Sequence, residues 1–209
     1  MSREVDLQRV LDGGVVAIIR ASSGEQLVDV AEALYSGGID VIEVTFTVPK
    51  VLEIISAVRD RLGDRILLGA GTVLDAETAR AAMLAGAEFI VCPTVNLDVI
   101  RMCRRYDKLV MPGALTPTEV VSAWEAGADI VKVFPADVGG PGYLKALHGP
   151  LPQVKLLPTG GVDLETIGGF FAAHLGQAGA GIRLLARGAT LAALREKGVQ
   201  LEHDGGRIH

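Results

Sequence analysis

Apolar residues in this chain come in short continuous runs rather than in alternation. Val15–Ile19 ends at Arg20, and Val41–Phe46 carries one acid, Glu43. Ile66–Val73 runs into Gly69-Ala70-Gly71-Thr72, Phe89–Cys92 stops at Pro93, and Leu109–Met111 stops at Pro112-Gly113. Ile130–Phe134 carries one lysine and stops at Pro135, and Val154–Leu157 stops at Pro158-Thr159-Gly160-Gly161. Runs of this length, bounded by Pro and Gly, predict buried strands. Between them lie segments of helical period: Glu25–Ser36, with Leu27, Val30, Ala31 and Leu34 on one face, then Val51–Leu62, Ala76–Ala85, Leu97–Tyr106, Pro117–Ala126, a stretch ending near Leu147, and one from Asp163 through Ala173. Asp75, Asn96, Thr116 and Asp163 stand where N-caps belong, and Pro117 takes the first helical position. Val5–Leu11 predicts a short lead-in helix.

Seven strand–helix pairs therefore follow one another at a spacing of roughly 20–25 residues, with an Ala-Gly-Ala echo at 85–87 and 126–128. Continuously apolar strands are those of a parallel sheet covered on both faces. Seven pairs plus an eighth imply an α/β fold of the (β/α)8 TIM barrel type, one domain over residues 1–209, although an open doubly wound sheet shares the alternation. The eighth unit reads as irregular. Leu175–Ala178 is a strand with little β-branched content, Leu191, Leu194 and Leu201 line a final helix interrupted by Gly198, and residues 202–209 read as a flexible tail.

Composition narrows the function classes. With 209 residues and 49% hydrophobic content the chain can bury one sizeable core; 26 glycines against 4% aromatics suggest tight turns and aliphatic packing. The formal net charge of -5 gives no basic footprint for nucleic acid. Cys92 and Cys103 make neither a disulfide framework nor a zinc spacing. No apolar run approaches the ~18 residues of a membrane span, and Met1–Asp12 has no apolar signal core. The expectation is a cytoplasmic protein with no membrane and no nucleic-acid partner.

Two ionisable residues stand inside predicted strands. Side chains alternate, so Lys132 shares a face with Ile130 and Phe134, and Glu43 shares one with Val41 and Thr45. A buried lysine can lower the cost of its charge by losing its proton, which leaves a nucleophilic amine. The plain alternatives are a lysine whose stem carries its charge to solvent, and a buried Lys132–Glu43 ion pair. Arg20, Thr72 and Thr159-Gly160-Gly161 fall at strand C-termini, which form the active-site face of a barrel. Gly160-Gly161 before an Asp163-capped helix reads either as an anion site or as a tight turn.

Glu43-Val44-Thr45, Gly69-Ala70-Gly71-Thr72-Val73, Met111-Pro112-Gly113, Val131-Lys132-Val133-Phe134-Pro135-Ala136 and Leu157-Pro158-Thr159-Gly160-Gly161-Val162 occur in this order. Together they resemble the 2-keto-3-deoxy-6-phosphogluconate (KDPG) aldolase family, which also covers 4-hydroxy-2-oxoglutarate (KHG) and 2-keto-3-deoxy-6-phosphogalactonate aldolases. The likeness runs from about Val15 to Ala173. It implies a class I aldolase of carbohydrate metabolism, of the Entner–Doudoroff type, on a (β/α)8 barrel. It also implies a homotrimer with no metal or other cofactor and a small 2-keto acid as substrate. By motif position, Lys132 is similar to the Schiff-base lysine and Glu43 to the general acid/base. Thr72 falls on a pyruvate-carboxylate contact, Gly160 and Gly161 on the phosphate loop, and Arg20 on a basic residue that members often carry. Thr47, Pro93, Phe134 and Thr159 fall on further substrate-binding positions.

The chain departs from the family in two places. Thr47 stands four residues after Glu43, where many members carry arginine and some carry threonine. Ile182, in Gly179-Ala180-Gly181-Ile182-Arg183, stands where a serine usually helps hold phosphate, and the likeness fades from His174 onward. Besides the aldolase, two other readings fit the sequence: a barrel isomerase or synthase with the same anion site, and an assembling barrel whose activity is impaired.

Overall fold

A computed structural model describes residues 2–20, 26–163, 165–170, 184–187, 201–203 and 206–208. The strands are β1 (Val15–Ile19), β2 (Val41–Thr45), β3 (Leu67–Gly71), β4 (Phe89–Val91), β5 (Leu109–Met111), β6 (Gly113–Ala114), β7 (Val131–Val133), β8 (Leu156–Pro158) and β9 (Leu184–Arg187). All pair in parallel, in two arcs ordered β5-β4-β3-β2-β1-β9 and β6-β7-β8. β5 and β6 are consecutive across Pro112, and β8 lies beside β9, so the arcs close on each other as a (β/α)8 barrel. The helices are α1 (Arg3–Gly13), α2 (Leu27–Ser36), α3 (Val51–Leu62), α4 (Ala76–Leu84), α5 (Leu97–Arg105), α6 (Pro117–Glu125) and α7 (Gly140–His148); residues 167–170 are also helical. Among the described residues no helix is long and apolar enough to cross a membrane.

The structure adds to the sequence expectations at three points. The strand that pairs with β1 is β9, with Val15 opposite Leu184 and Ile18 opposite Arg187, whereas the eighth strand was expected over 175–178, which lies outside the described residues. Leu184-Leu185 is more apolar than Gly176-Gln177, which favours it for a wall strand. The fifth strand resumes after Pro112 as β6. A proline lacks an N–H but keeps its carbonyl, and the Lys132 N–H donates to Pro112 O at 2.9 Å. Within the expected tail, Leu201–His203 (β10) pairs antiparallel with Gly206–Ile208 (β11).

The predicted caps are made. Asp75 accepts from the Thr78 N–H at 2.6 Å, Asn96 from Asp98 at 2.9 Å, and Thr116 and Glu119 form a capping box ahead of Pro117. The Ala-Gly-Ala echo is one helix-ending turn used twice. Gly86 (φ 114°) and Gly127 (φ 100°) adopt left-handed backbone, and the Ala87 and Ala128 amides reach back to Ala82 O at 3.0 Å and Ala123 O at 3.1 Å.

Two apolar layers follow from the alternation of side chains. Ile42, Val44, Val131 and Val133 face outward into the sheet–helix layer. Val16, Ile18, Val41, Leu67, Phe89, Leu109, Ile130 and Leu157 fill the barrel, joined from below by Val10 of α1. Helix α1 closes the mouth at the strand N-termini: Arg3 pairs with Asp129, Arg9 pairs with Asp40 at 2.8 Å, and Arg9 also donates to Asp64 O and Arg65 O. The opposite, C-terminal mouth is left to the residues singled out above.

Candidate active site at the C-terminal mouth

Strands β2 and β3 build one side of the mouth. Glu43 is level with Ile18 of β1 and Gly69 of β3, points inward, and is 1% exposed. Its carboxylate rises toward the mouth beside Gly71, where no side chain stands. Gly69 leaves its own hollow, which the ring of Phe89 fills. The inner face of β3 is therefore cut away twice. Two residues on, Thr45 is buried and its hydroxyl is 2.8 Å from that of exposed Thr47. The Phe46 N–H donates to Gly71 O at 2.8 Å, tying the loop after β2 to the end of β3. Thr72 follows with φ 60°. A β-branched residue rarely adopts left-handed backbone, and such strain, about 1–3 kcal/mol, is concentrated at functional sites.

Strands β7 and β8 build the other side. Lys132 is 6% exposed and level with Gly113 and Leu157. Its ammonium lies 4.6 Å from the centre of the Phe134 ring, so cation–π attraction joins two side chains on one strand face. Val131 and Val133 face outward, so the medium around the amine is set by groups of the barrel mouth rather than by its sequence neighbours. The Thr159 N–H donates to Val133 O at 3.0 Å and the Ala136 N–H to Thr159 O at 2.8 Å, which clamps the two strand ends together. Gly160 (φ 91°) and Gly161 (φ 68°) then turn the chain against residues 134–137. Asp163 caps the following helix, accepting from Thr166 at 2.8 Å and Glu165 at 3.0 Å, and these bonds hold its carboxyl below the usual range.

Cys92, which makes neither a disulfide framework nor a zinc spacing, is buried within reach of the charges on both sides. Burial pushes its thiol up to about 12, and the charges of Lys132, lowering, and Glu43, raising, both act on it. Pro93 is half-buried, and its backbone abuts Gly113, where a Cβ would also stand 2.8 Å from Cys92 O. The structure thus gathers Glu43, Thr47, Thr72, Pro93, Lys132, Phe134, Thr159, Gly160 and Gly161 at strand C-termini. Arg20 is exposed just past β1, and the segment that follows it, 21–25, lies outside the described residues, as do Ile182 and Arg183. The pair Gly69 and Gly71, two residues apart and so on one strand face, was the available signal for the cut-away wall.

A buried lysine and a buried carboxylate at a barrel mouth suit imine chemistry with proton transfer. Comparison with known proteins points the same way. The sequence profile of the family described as KDPG and KHG aldolase matches residues 7–193. The chain is 39% identical over 159 residues to 2-dehydro-3-deoxy-phosphogluconate aldolase of Treponema pallidum, covering 76% of this chain and 75% of that protein. It is 35% identical over 178 residues to 2-dehydro-3-deoxy-6-phosphogalactonate aldolase of Escherichia coli, covering 85% and 87%. Among solved structures it is similar to the KDPG aldolase of Legionella pneumophila, crystallised with pyruvate captured as a covalent carbinolamine intermediate, with TM-score 0.77, 28% identity and coverage of 86% and 85%. The profile match continues past His174, through the strand that closes the barrel. By fold, site and sequence, the chain belongs to the KDPG and KHG aldolase family.

Proposed function

We propose that this protein is a class I aldolase that cleaves KDPG, or a closely related 2-keto acid, to pyruvate and an aldehyde such as glyceraldehyde 3-phosphate. The carrying observation is Lys132, buried at the C-terminal mouth of a chain whose Legionella relative holds pyruvate as a carbinolamine. The Lys132 amine attacks the C2 ketone of the substrate. The carbinolamine loses water to give a protonated imine, an electron sink. The C4 hydroxyl then loses its proton as the C3–C4 bond breaks, releasing the aldehyde and leaving an enamine on Lys132. Protonation at C3 and hydrolysis of the imine free pyruvate and the amine.

Each proton movement needs a group within reach, and Glu43 is our choice for the shuttle. The Thr72 hydroxyl is a donor for the pyruvate carboxylate. Phe134 and Pro93 shape the walls, and Thr159, Gly160 and Gly161 take the far end of the substrate, with Arg20 adding positive charge. Thr47 offers a neutral hydroxyl, held by Thr45, where many relatives offer a guanidinium. That difference bears on which substrate is preferred: KDPG or its C4 epimer, the galactonate, which release the same aldehyde, or 4-hydroxy-2-oxoglutarate, whose aldehyde half carries no phosphate. A homotrimer in the cytoplasm is part of the same reading, and sedimentation at three times the chain mass is its check.

Borohydride trapping with pyruvate, followed by peptide mapping, tests the mechanism. The expected result is a reduced pyruvyl adduct on Lys132 that is absent from Lys132→Ala, with cleavage activity reduced at least about a hundredfold. An adduct on another lysine, or none, would remove the aldolase reading.

A further inference from the structure

From the shape of the β3 wall we infer that Gly71 is a positioning residue for the Glu43 carboxylate, a role that rests on the proposed use of Glu43 in proton transfer. A Cβ built on Gly71 would fall within bonding distance of Glu43 Oε1 and 2.7 Å from its Cγ. No real Cβ stands that close, so any other residue at 71 moves the carboxylate. The usual reason for a glycine does not apply at this position. Gly71 is absent from the positive-φ glycines and lies in β3, in register with Thr45 of β2. Alanine fits such a backbone, and a glycine inside a strand weakens it. What the glycine supplies is space. Glu43 is level with Gly69 and reaches diagonally to the level of Gly71, one step nearer the mouth. Below it, the hollow at Gly69 is filled by Phe89, so the carboxylate has no second hollow on β3 to enter.

The backbone at 71 is held in place as well, since its carbonyl accepts from Phe46 at 2.8 Å. The collision therefore falls on the flexible end of Glu43 rather than on the strand. Gly71→Ala keeps the fold and displaces the proton-transfer group. The nucleophile, on the opposite wall, is left in place.

Deuterium exchange into the pyruvate methyl group in D2O, followed by NMR, reads proton transfer at the enamine without any choice of aldehyde. We expect Gly71→Ala still to trap pyruvate on Lys132 with borohydride, to the same final extent as wild type, but to exchange the methyl protons at least about tenfold more slowly, in line with the size of general acid–base effects. In cleavage, kcat falls and KM changes little. In a Glu43→Asp background, whose shorter side chain leaves room, adding Gly71→Ala slows exchange by a smaller factor than in wild type. Exchange at the wild-type rate in Gly71→Ala, or an equal factor in both backgrounds, overturns the proposal. Failure of the underlying reading shows separately, as wild-type exchange in Glu43→Gln. Should Gly71→Ala not fold, the Gly71→Ala/Glu43→Ala pair decides. With the carboxylate gone the methyl has room, so the pair melts close to Glu43→Ala; a pair that also fails to fold sinks the idea.

Discussion

Thr72 shows how stability and binding pull apart at a single residue. Its φ of 60° costs the backbone strain that glycine would not incur. Thr72→Gly is expected to raise stability by about 1 kcal/mol while raising KM, because the proposed carboxylate donor is lost; Thr72→Ser keeps the hydroxyl and the KM. Thermal melts alongside steady-state kinetics check both halves, and a Thr72→Gly variant that melts lower than wild type would count against strain at this position. Cys92 and Cys103 make a second test. Both are fully buried, and burial pushes both thiols upward, Cys92 to about 12. The thiolate is the reactive form, so neither cysteine should react with an aromatic disulfide at pH 8 in the native state, and both should react in denaturant. Rapid native labelling of Cys92 would show the mouth to be open to its depth.

At the scale of elements, α1 seals the end of the barrel opposite the chemistry. It does so with Val10, fully buried, and partly buried Leu7, and with arginines that reach strand-leading loops: Arg3 to Asp107 and Asp129, Arg9 to Asp40 and two carbonyls. Exposed pairs such as Arg3–Asp107 add little, whereas full burial of a valine is worth about 1.5–3 kcal/mol. Val10→Ala should therefore destabilise by about 1–2 kcal/mol, since the methyl that remains keeps part of that burial, and should leave kcat unchanged. Chemical denaturation and kinetics on one preparation measure both, and a large loss of kcat would show that the two mouths are coupled. The caps of α4, α5 and α6 act locally, which is why their residues could be picked out before any contact was known.

Across the whole molecule, Asp6 shapes the pH dependence of stability in the sense opposite to that of a hydrogen-bonded carboxylate. This carboxyl is 1% exposed, and its Oδ1 has no hydrogen-bond partner among the described residues. Burial first, then the charge of Glu88, raise its pKa, while Lys108 and Arg9 oppose them. A carboxyl raised in the folded state takes up its proton at higher pH than in the unfolded chain. Its contribution to stability therefore falls as pH rises from the ordinary carboxylate range through the folded pKa. Asp6→Asn removes that loss. The variant should melt above wild type at neutral pH, with the gap closing as pH falls toward the ordinary carboxylate range. A gap that is constant with pH would assign the effect to packing instead. Asp75, Glu119 and Asp163, all held low by hydrogen bonds at helix starts, act in the opposite sense in wild type and variant alike: their contributions are lost as pH falls through their folded values.

The order of strands and helices, the caps, and the inward set that includes Lys132 and Glu43 were legible in the sequence because they depend on local spacing: two residues per strand face, 3.6 per helical turn, and Pro and Gly as stops. Those periods also placed Thr72, Thr159, Gly160 and Gly161 at strand ends. The strand that closes the barrel was not legible at 184–187, because the partner that selects it, β1, lies more than a hundred and sixty residues earlier in the chain. The continuation of β5 past Pro112 is fixed by a carbonyl paired across the sheet. The hollow at Gly71 and the ring of Phe89 filling the space at Gly69 are likewise contacts between strands. Local pattern decided which residues face inward. Only the closed barrel decided which of them meet, because level and register across strands are set by packing the whole wall at once.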